Sequence, residues 1–324
     1  MLRVALLGAS GIASNYVASC QRVTGVEVCA IFSRSVERAK QFAQLHGISM
    51  ATDDLENLLA REDIHAFIIV TEPSRHIELA LQAMKHQKHL LIEKPIDADY
   101  SKAVELSGRV DDYEAVVSVV SQYRFDPILQ KMNRSVVEMS ERPLVVDFEL
   151  FKTRNREYYD SGNGWRQAES DFFFNQGIHW LDVFNWFFGE PIDVQAFSLS
   201  GRSGIKCTDR SAAILRYANG SLATISGGSF SRDNPNVRFV VRGNDQTVDY
   251  ATLTRPPVVQ RALNRIIPPS WHHSLSSSSS LDLQVRDFVD AIEFKRQPAT
   301  TVAQAVLALK LSLTIGGRMN WLDT

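Results

Sequence analysis

Cysteine is scarce in this chain of 324 residues. Only Cys20, Cys29 and Cys207 occur, odd in number and far apart, which excludes a disulfide framework. No Cys-x-x-Cys is present and the histidines show no ligand spacing, so no metal site is expected. Cationic charge is not in excess: Lys+Arg 35 against Asp+Glu 37 leaves a formal net charge of -2. That balance excludes a general nucleic-acid binder and a protein held to anionic membrane surfaces. No apolar run is long enough to cross a bilayer, and the opening run Met1–Gly8 is too short for a signal peptide. The expected location is the reducing cytoplasm.

What is there is ordinary globular material, 44% hydrophobic and 22% charged, at about twice the usual domain length of ~150 residues. Two domains are therefore expected, residues 1–121 and 122–324. The first alternates short apolar runs (Val4–Leu7, Val26–Phe32, Ala66–Val70, His89–Ile92, Ala115–Val120) with helical patterns such as the one Ser35 caps. Runs of this kind suit strands buried on both faces, and their alternation with helices predicts an α/β fold with a doubly wound parallel sheet. Beyond residue 122 the texture changes. Leu144–Leu150, Ala212–Tyr217 and Ser221–Ile225 alternate apolar and polar residues, and Asn219-Gly220 between the last two is a strong hairpin signal. A second, mostly antiparallel sheet follows, with helices over Gly177–Phe188 and Thr301–Gly317. The stretch Pro268–Ser280 is low in complexity and reads as a solvated surface connection. No internal repeat is visible.

The first apolar run leads into Gly8-Ala9-Ser10-Gly11-Ile12-Ala13 and then a helix. A strand-to-helix turn of small residues aims backbone N–H groups at an anion, the context of the dinucleotide fingerprint. Gly8 takes the first glycine position, Ser10 the second and Ala13 the third, with Gly11 and Ile12 between them. The second run ends in Ser33-Arg34, where an NAD site usually presents an acid. A hydroxyl and a guanidinium suit a 2′-phosphate, so NADP is expected before NAD. The fourth run ends in Glu93-Lys94-Pro95. Ligands of open α/β sheets sit beyond the carboxyl ends of the strands, so Lys94 is placed at the nicotinamide end. There the neighbouring positive ring would lower its pKa and fit it for proton transfer. Thr71, Pro73 and His76, beyond the neighbouring run, complete the expected cofactor-binding set together with Glu93 and Lys94.

Taken together, Gly-Ala-Ser-Gly-Ile-Ala, Ser-Arg-Ser, Thr-x-Pro-x-x-His, Glu-Lys-Pro, Gln122–Pro127 and Asn175–Asp182 with its Gly-x-His-x-x-Asp resemble the Gfo/Idh/MocA oxidoreductases over nearly the whole chain. The resemblance implies a Rossmann domain followed by an α/β domain whose open sheet serves oligomerisation, as a homodimer or homotetramer, with the last helix packing back on the first domain. It also implies hydride exchange between NAD(P) and a hydroxyl-bearing carbon of a sugar, cyclitol or nucleotide sugar. Lys94 matches the family's catalytic lysine and His179 its acid/base histidine. His179 would move the hydroxyl proton while Lys94 binds the same oxygen. Asn175 stands where many members carry Asp and would orient a hydroxyl without taking a proton. Asp182 either orients the imidazole or serves packing.

Arg124, Trp165 and Arg166, with Asn175 and His179, form the expected substrate-binding set. The surrounding Arg154, Arg156, Tyr158 and Tyr159 make a cation-and-aromatic composition suited to an anionic sugar. Phe172-Phe173-Phe174 replace a glycine-rich stretch common in the family and are expected to make the pocket wall bulkier. His272-His273 point apart as neighbours and make no metal site. The rival to an enzyme is a catalytically silent NADP-sensing regulator, which would need the phosphate turn but neither Lys94 nor His179.

Overall fold

The computed structural model describes residues 1–161, 164–168, 170–201, 205–230, 236–252 and 277–322. They cluster into two compact units: Met1–Phe125 with Ser277–Leu309, and Asp126–Ser276 with Lys310–Thr324.

In the first unit six strands, β1 (Leu2–Leu7), β2 (Val26–Phe32), β3 (Met50–Thr52), β4 (Ala66–Ile69), β5 (His89–Ile92) and β6 (Val117–Val119), form one sheet in the order β3-β2-β1-β4-β5-β6. Every pairing is parallel. This is the doubly wound order, and the direction in which strands are added reverses between β1 and β4. Helices α1 (Ala13–Arg22), α2 (Val36–His46), α3 (Leu55–Ala60), α4 (His76–Lys85) and α5 (Tyr100–Val110) connect the strands. Side chains begin several of them: Ser35 accepts from Arg38 N, Asp54 from Asn57 N, and Asp99 from Ser101 N.

A helix far along the chain, Ser277–Glu293, also belongs to this unit. The sequence reading put all of 122–324 in one domain. The structure groups this helix with α1 because Leu281, Val285, Phe288 and Val289 share a core with Tyr16, Val17 and Cys20. Asp282 clamps Arg22 through two bonds of 2.7 Å. Ser277–Ser280 lie inside the helix, and Ser280 is buried, so this end of the serine-rich stretch is not a solvated connection. Residues 268–276, including His272-His273, lie outside the described residues. The edge strand β6 is sealed by the same segment. Gln284 takes the Ser121 N–H and donates to Val119 O (both 3.0 Å), and Thr300 bonds Ser118 Oγ at 2.9 Å. An edge so covered offers no free backbone for further pairing.

The second unit carries α6 (Pro127–Met139), β7 (Val145–Phe151), short helices α7 (Arg156–Asp160) and α8 (Trp165–Ala168), α9 (Ile178–Phe188), β8 (Asp193–Leu199), β9 (Arg210–Arg216), β10 (Leu222–Gly228), β11 (Asn236–Arg242) and β12 (Thr247–Thr252). Its sheet runs β12-β11-β7-β10-β9-β8, antiparallel except where β7 meets β10. Alternation along the strands sends Phe148, Leu215, Ile225 and Phe239 inward. There Phe239 stacks on Phe184 with ring centroids 4.8 Å apart and meets Phe148 edge-on at 5.5 Å. The other face stays open, with Phe197 84%, Leu199 66% and Ile214 56% exposed. The final helix, Val302–Ile315, contributes its first half to the first unit and the rest to the second. All three cysteines are buried free thiols.

Candidate active site

The turn after β1 is shaped by a steric limit. Gly8 has φ +120°, and a Cβ there would stand 3.0 Å from Val70 O and 3.1 Å from Thr71 N. Only glycine fits between the ends of β1 and β4. Ser10, in the position usually given to a second glycine, folds its hydroxyl onto Val70 O at 3.0 Å. Its side chain is thus turned into the wall, and nothing lies within 4 Å of a Cβ built on Gly11. Ala13 is fully buried at the start of α1, and Ile12 caps the helix, 39% exposed. The turn therefore fits the pyrophosphate of a dinucleotide: small residues, room beside Gly11, and a helix N-terminus behind it.

Beyond β2, Ser33 is buried and Arg34 is exposed, its Nη2 3.0 Å from the Glu72 carboxylate. Arg38, one helical turn further, reaches back to Ala9 O at 3.3 Å. Arg38 lies in the first turn of α2, and its four-residue spacing from Arg34, in the bend before that helix, is the signal in the sequence that points to it.

At the end of β5, Glu93 is buried and both of its oxygens are engaged. Tyr16 Oη donates to Oε1 at 2.8 Å, and the Lys94 backbone N–H donates to Oε2 at 2.7 Å. Burial, and then the adjacent carboxylate, push the Tyr16 phenol well above its ordinary range, so it stays a donor. Lys94 itself is half-buried, and the Lys94-Pro95 peptide is cis. His76, expected among the cofactor-binding residues, is 1% exposed. Its Nδ1 lies 2.8 Å from Pro95 O and its Nε2 3.1 Å from Thr71 O. It braces the turns after β4 and β5 and has no ring nitrogen left for a ligand. Pro73 is buried in the 3-10 turn Pro73–Arg75, and Thr71 is half-buried.

In the second unit the helix over the sheet starts earlier than the sequence suggests. A wide turn of π type, Phe173–Gly177, runs directly into α9. Such turns are uncommon and gather at functional sites. Asp171 opens this segment, taking the Phe174 N–H at 2.8 Å. Burial drives its carboxyl up to about 6, against the opposing pull of the Phe174 N–H and of Arg318. Its Oδ2 has no hydrogen-bond partner among the described residues. Asn175 is buried within the wide turn, His179 is half-buried in the first turn of α9, and Asp182 is buried.

Phe172, Phe173 and Phe174 are core rather than pocket wall, at most 1% exposed. Small residues accept their rings: a Cβ on Gly227 would lie 3.0 Å from the Phe173 ring and 3.1 Å from that of Phe172. Beside Asn175, Gln176 takes a hydrogen bond from Arg154 at 2.9 Å and donates to the Tyr158 hydroxyl. Arg154 and Arg166 both sit on the Tyr158 ring, 4.6 and 4.8 Å from its centre, and Arg166 also lies 4.5 Å from the centre of Trp165. The expected grouping is therefore real for Arg154, Tyr158, Trp165 and Arg166. Arg156 instead pairs with Asp160 at 3.2 Å, and Tyr159 packs with Ile205 and Cys207. Arg124 is buried in the first unit. Among the described residues no His/Cys/Asp/Glu group could hold a metal, and no helix is long and apolar enough to cross a membrane.

A glycine turn after β1 and a lysine after β5 in one unit, with a histidine on a helix of the other, are features of a nucleotide-dependent oxidoreductase. Comparison with known proteins agrees. Residues 2–121 match the oxidoreductase family with an NAD-binding Rossmann fold, and residues 144–249 match the GFO/IDH/MocA C-terminal domain. The chain belongs to the Gfo/Idh/MocA family. It is 23% identical to the 4-carboxy-2-hydroxymuconate-6-semialdehyde dehydrogenase of Sphingobium sp. over 310 residues, 94% of this chain and 95% of that one. It is likewise 23% identical over 265 residues to the NADP(+)-dependent scyllo-inositol 2-dehydrogenase IolU of Bacillus subtilis, covering 80% of this chain and 79% of that one. In fold it is similar to the WlbA dehydrogenase of Bordetella pertussis, solved with NADH and UDP-GlcNAcA. The TM-score is 0.83 at 20% identity, over 98% of this chain and 96% of that one.

Asp171 yields a prediction. Its folded-state pKa lies above the ordinary value of 3.8, so the native state holds this proton more tightly and loses stability as pH rises from about 4 through about 6. Asp171→Asn keeps the acceptor for Phe174 and removes the buried charge. Urea unfolding at pH 8 should show it more stable than the wild type by about 3 kcal/mol. At pH 4 the difference should vanish.

Proposed function

We propose that the chain is an NADP-dependent oxidoreductase acting on a secondary hydroxyl, or the matching ketone, of a sugar, cyclitol or related polyol. The observation that carries this reading is the pairing, in one unit, of the Gly8 turn with Lys94 at the end of β5. The nicotinamide, when bound, supplies or accepts the hydride. Lys94 donates a hydrogen bond to the oxygen on the reacting carbon and stabilises its growing negative charge. His179 takes or gives the hydroxyl proton, and Asn175 holds a neighbouring hydroxyl. A silent sensor would need neither Lys94 nor His179, and relatives of this chain are named dehydrogenases and reductases.

Several features support the finer points. Ser33, Arg34 and Arg38 favour the 2′-phosphate, although relatives include both NADP(+)- and NAD(+)-dependent enzymes. Arg154 and Arg166 about Tyr158 favour a substrate carrying an acidic group, in keeping with the carboxyl in the name of the Sphingobium relative. Free thiols suit the cytoplasm. The open sheet face suits a second copy of the chain in a homodimer or homotetramer.

Absorbance of the reduced nicotinamide, followed across a panel of polyols, sugars and uronates, tests the activity. Silence across the panel alongside tight NADPH binding would favour the sensor. Lys94→Met should cut kcat at least about 100-fold with NADPH affinity kept, and near-normal turnover would remove the lysine from the reaction. Arg34→Ala combined with Arg38→Ala should weaken NADPH binding by roughly 10- to 100-fold, read by fluorescence titration, and leave NADH little changed. Phe197→Asp should lower the mass measured by light scattering if the open face joins subunits.

A further inference from the structure

The proposed chemistry uses the side chain of Lys94 but does not say what holds it in place. The contacts behind it do. The Lys94 backbone N–H is fixed by Glu93 Oε2 at 2.7 Å, and the other oxygen of that carboxylate is fixed by Tyr16 Oη at 2.8 Å. Glu93 is 7% exposed and Tyr16 fully buried, so the bond between them is shielded from water. Tyr16 lies in the first turn of α1, whose N-terminus follows the Gly8 turn. A continuous hydrogen-bonded path thus runs from the helix behind the phosphate turn, through a buried carboxylate, to the backbone of the lysine. On the other side, His76 grips Pro95 O, so the Glu93–Pro95 corner is held from two directions.

We propose that Tyr16 is a positioning residue for Lys94, acting through Glu93. The inference rests on the reading of Lys94 as a reacting group, and it assigns a function to a residue that packing alone does not require. A phenylalanine would fill the same volume but would lose the hydroxyl that holds Oε1 of the carboxylate. Without that hydroxyl one oxygen of Glu93 is left buried and unmatched. The carboxylate can then turn away from the lysine's N–H.

Two measurements separate this role from plain structural support. The first, which needs no turnover, is the pH dependence with which pyridoxal 5′-phosphate, trapped by borohydride, labels Lys94 in the protein without nucleotide. Tyr16→Phe should move that profile by at least half a pH unit. The second is steady-state kinetics on the best substrate of the panel, in which the same variant should lose about 10-fold or more in kcat while KM and NADPH affinity stay within about two-fold. A lower melting temperature with an unmoved labelling profile and unchanged kcat would overturn the proposal. If Tyr16→Phe does not fold, Glu93→Gln decides. It keeps a partner for each neighbour but loses the charge, so the labelling profile should shift to lower pH, and an unshifted profile overturns the path. Failure of wild-type protein to bind NADPH would instead bring down the functional reading beneath it.

Discussion

The first unit depends on how closely the turn after β1 approaches the turn after β4. Gly8 leaves no space for a side chain against Val70 and Thr71, and Ser10 is tied to the same Val70 carbonyl. These two contacts decide where the chain leaves β1, and so where α1 begins. The position of α1 in turn sets the position of Tyr16, Glu93 and the lysine backbone. A nucleotide-binding loop is commonly described by its glycines. Here the serine in the middle performs the second glycine's task by folding its own hydroxyl out of the way.

The second unit solves a different problem, that of starting a helix inside a dry core. Phe172–Phe174 surround the helix start with aromatic rings, so water cannot satisfy the first N–H groups. Asp171 supplies the acceptor and bears the cost of burial, which is why its carboxyl holds a proton well above the ordinary range. The wide turn that follows carries Asn175, and His179 follows on regular helix. Stability and site geometry are thus drawn from the same few residues.

Much of this was legible in the sequence. The parallel sheet, the Gly8 turn, the Asn219-Gly220 hairpin and the motifs carrying Lys94 and His179 all rest on local patterns of period and punctuation. What was not legible depended on contacts between distant segments. Nothing in the spacing of Tyr16 reveals that it meets Glu93, 77 residues later. His76 looked like a ligand group because its partners are carbonyl oxygens, which no motif records. The three phenylalanines looked like a pocket wall because the glycine that accepts two of their rings lies on a strand about fifty residues on. Strands β3 and β8 escaped notice for a simpler reason: one is three residues long, and the other exposes every second side chain on the open face.

The sealing of β6 by Gln284 and Thr300 has a consequence for how the chain comes to be made. The partners of Ser118, Val119 and Ser121 are 163 to 182 residues away. Residues 126–276 are thus inserted in sequence between two pieces of one sheet-and-helix body. On the ribosome that body stays open at one edge until nearly the whole polypeptide has emerged, while the inserted part already has most of its own strands. Order of synthesis and order of completion run opposite ways in this molecule.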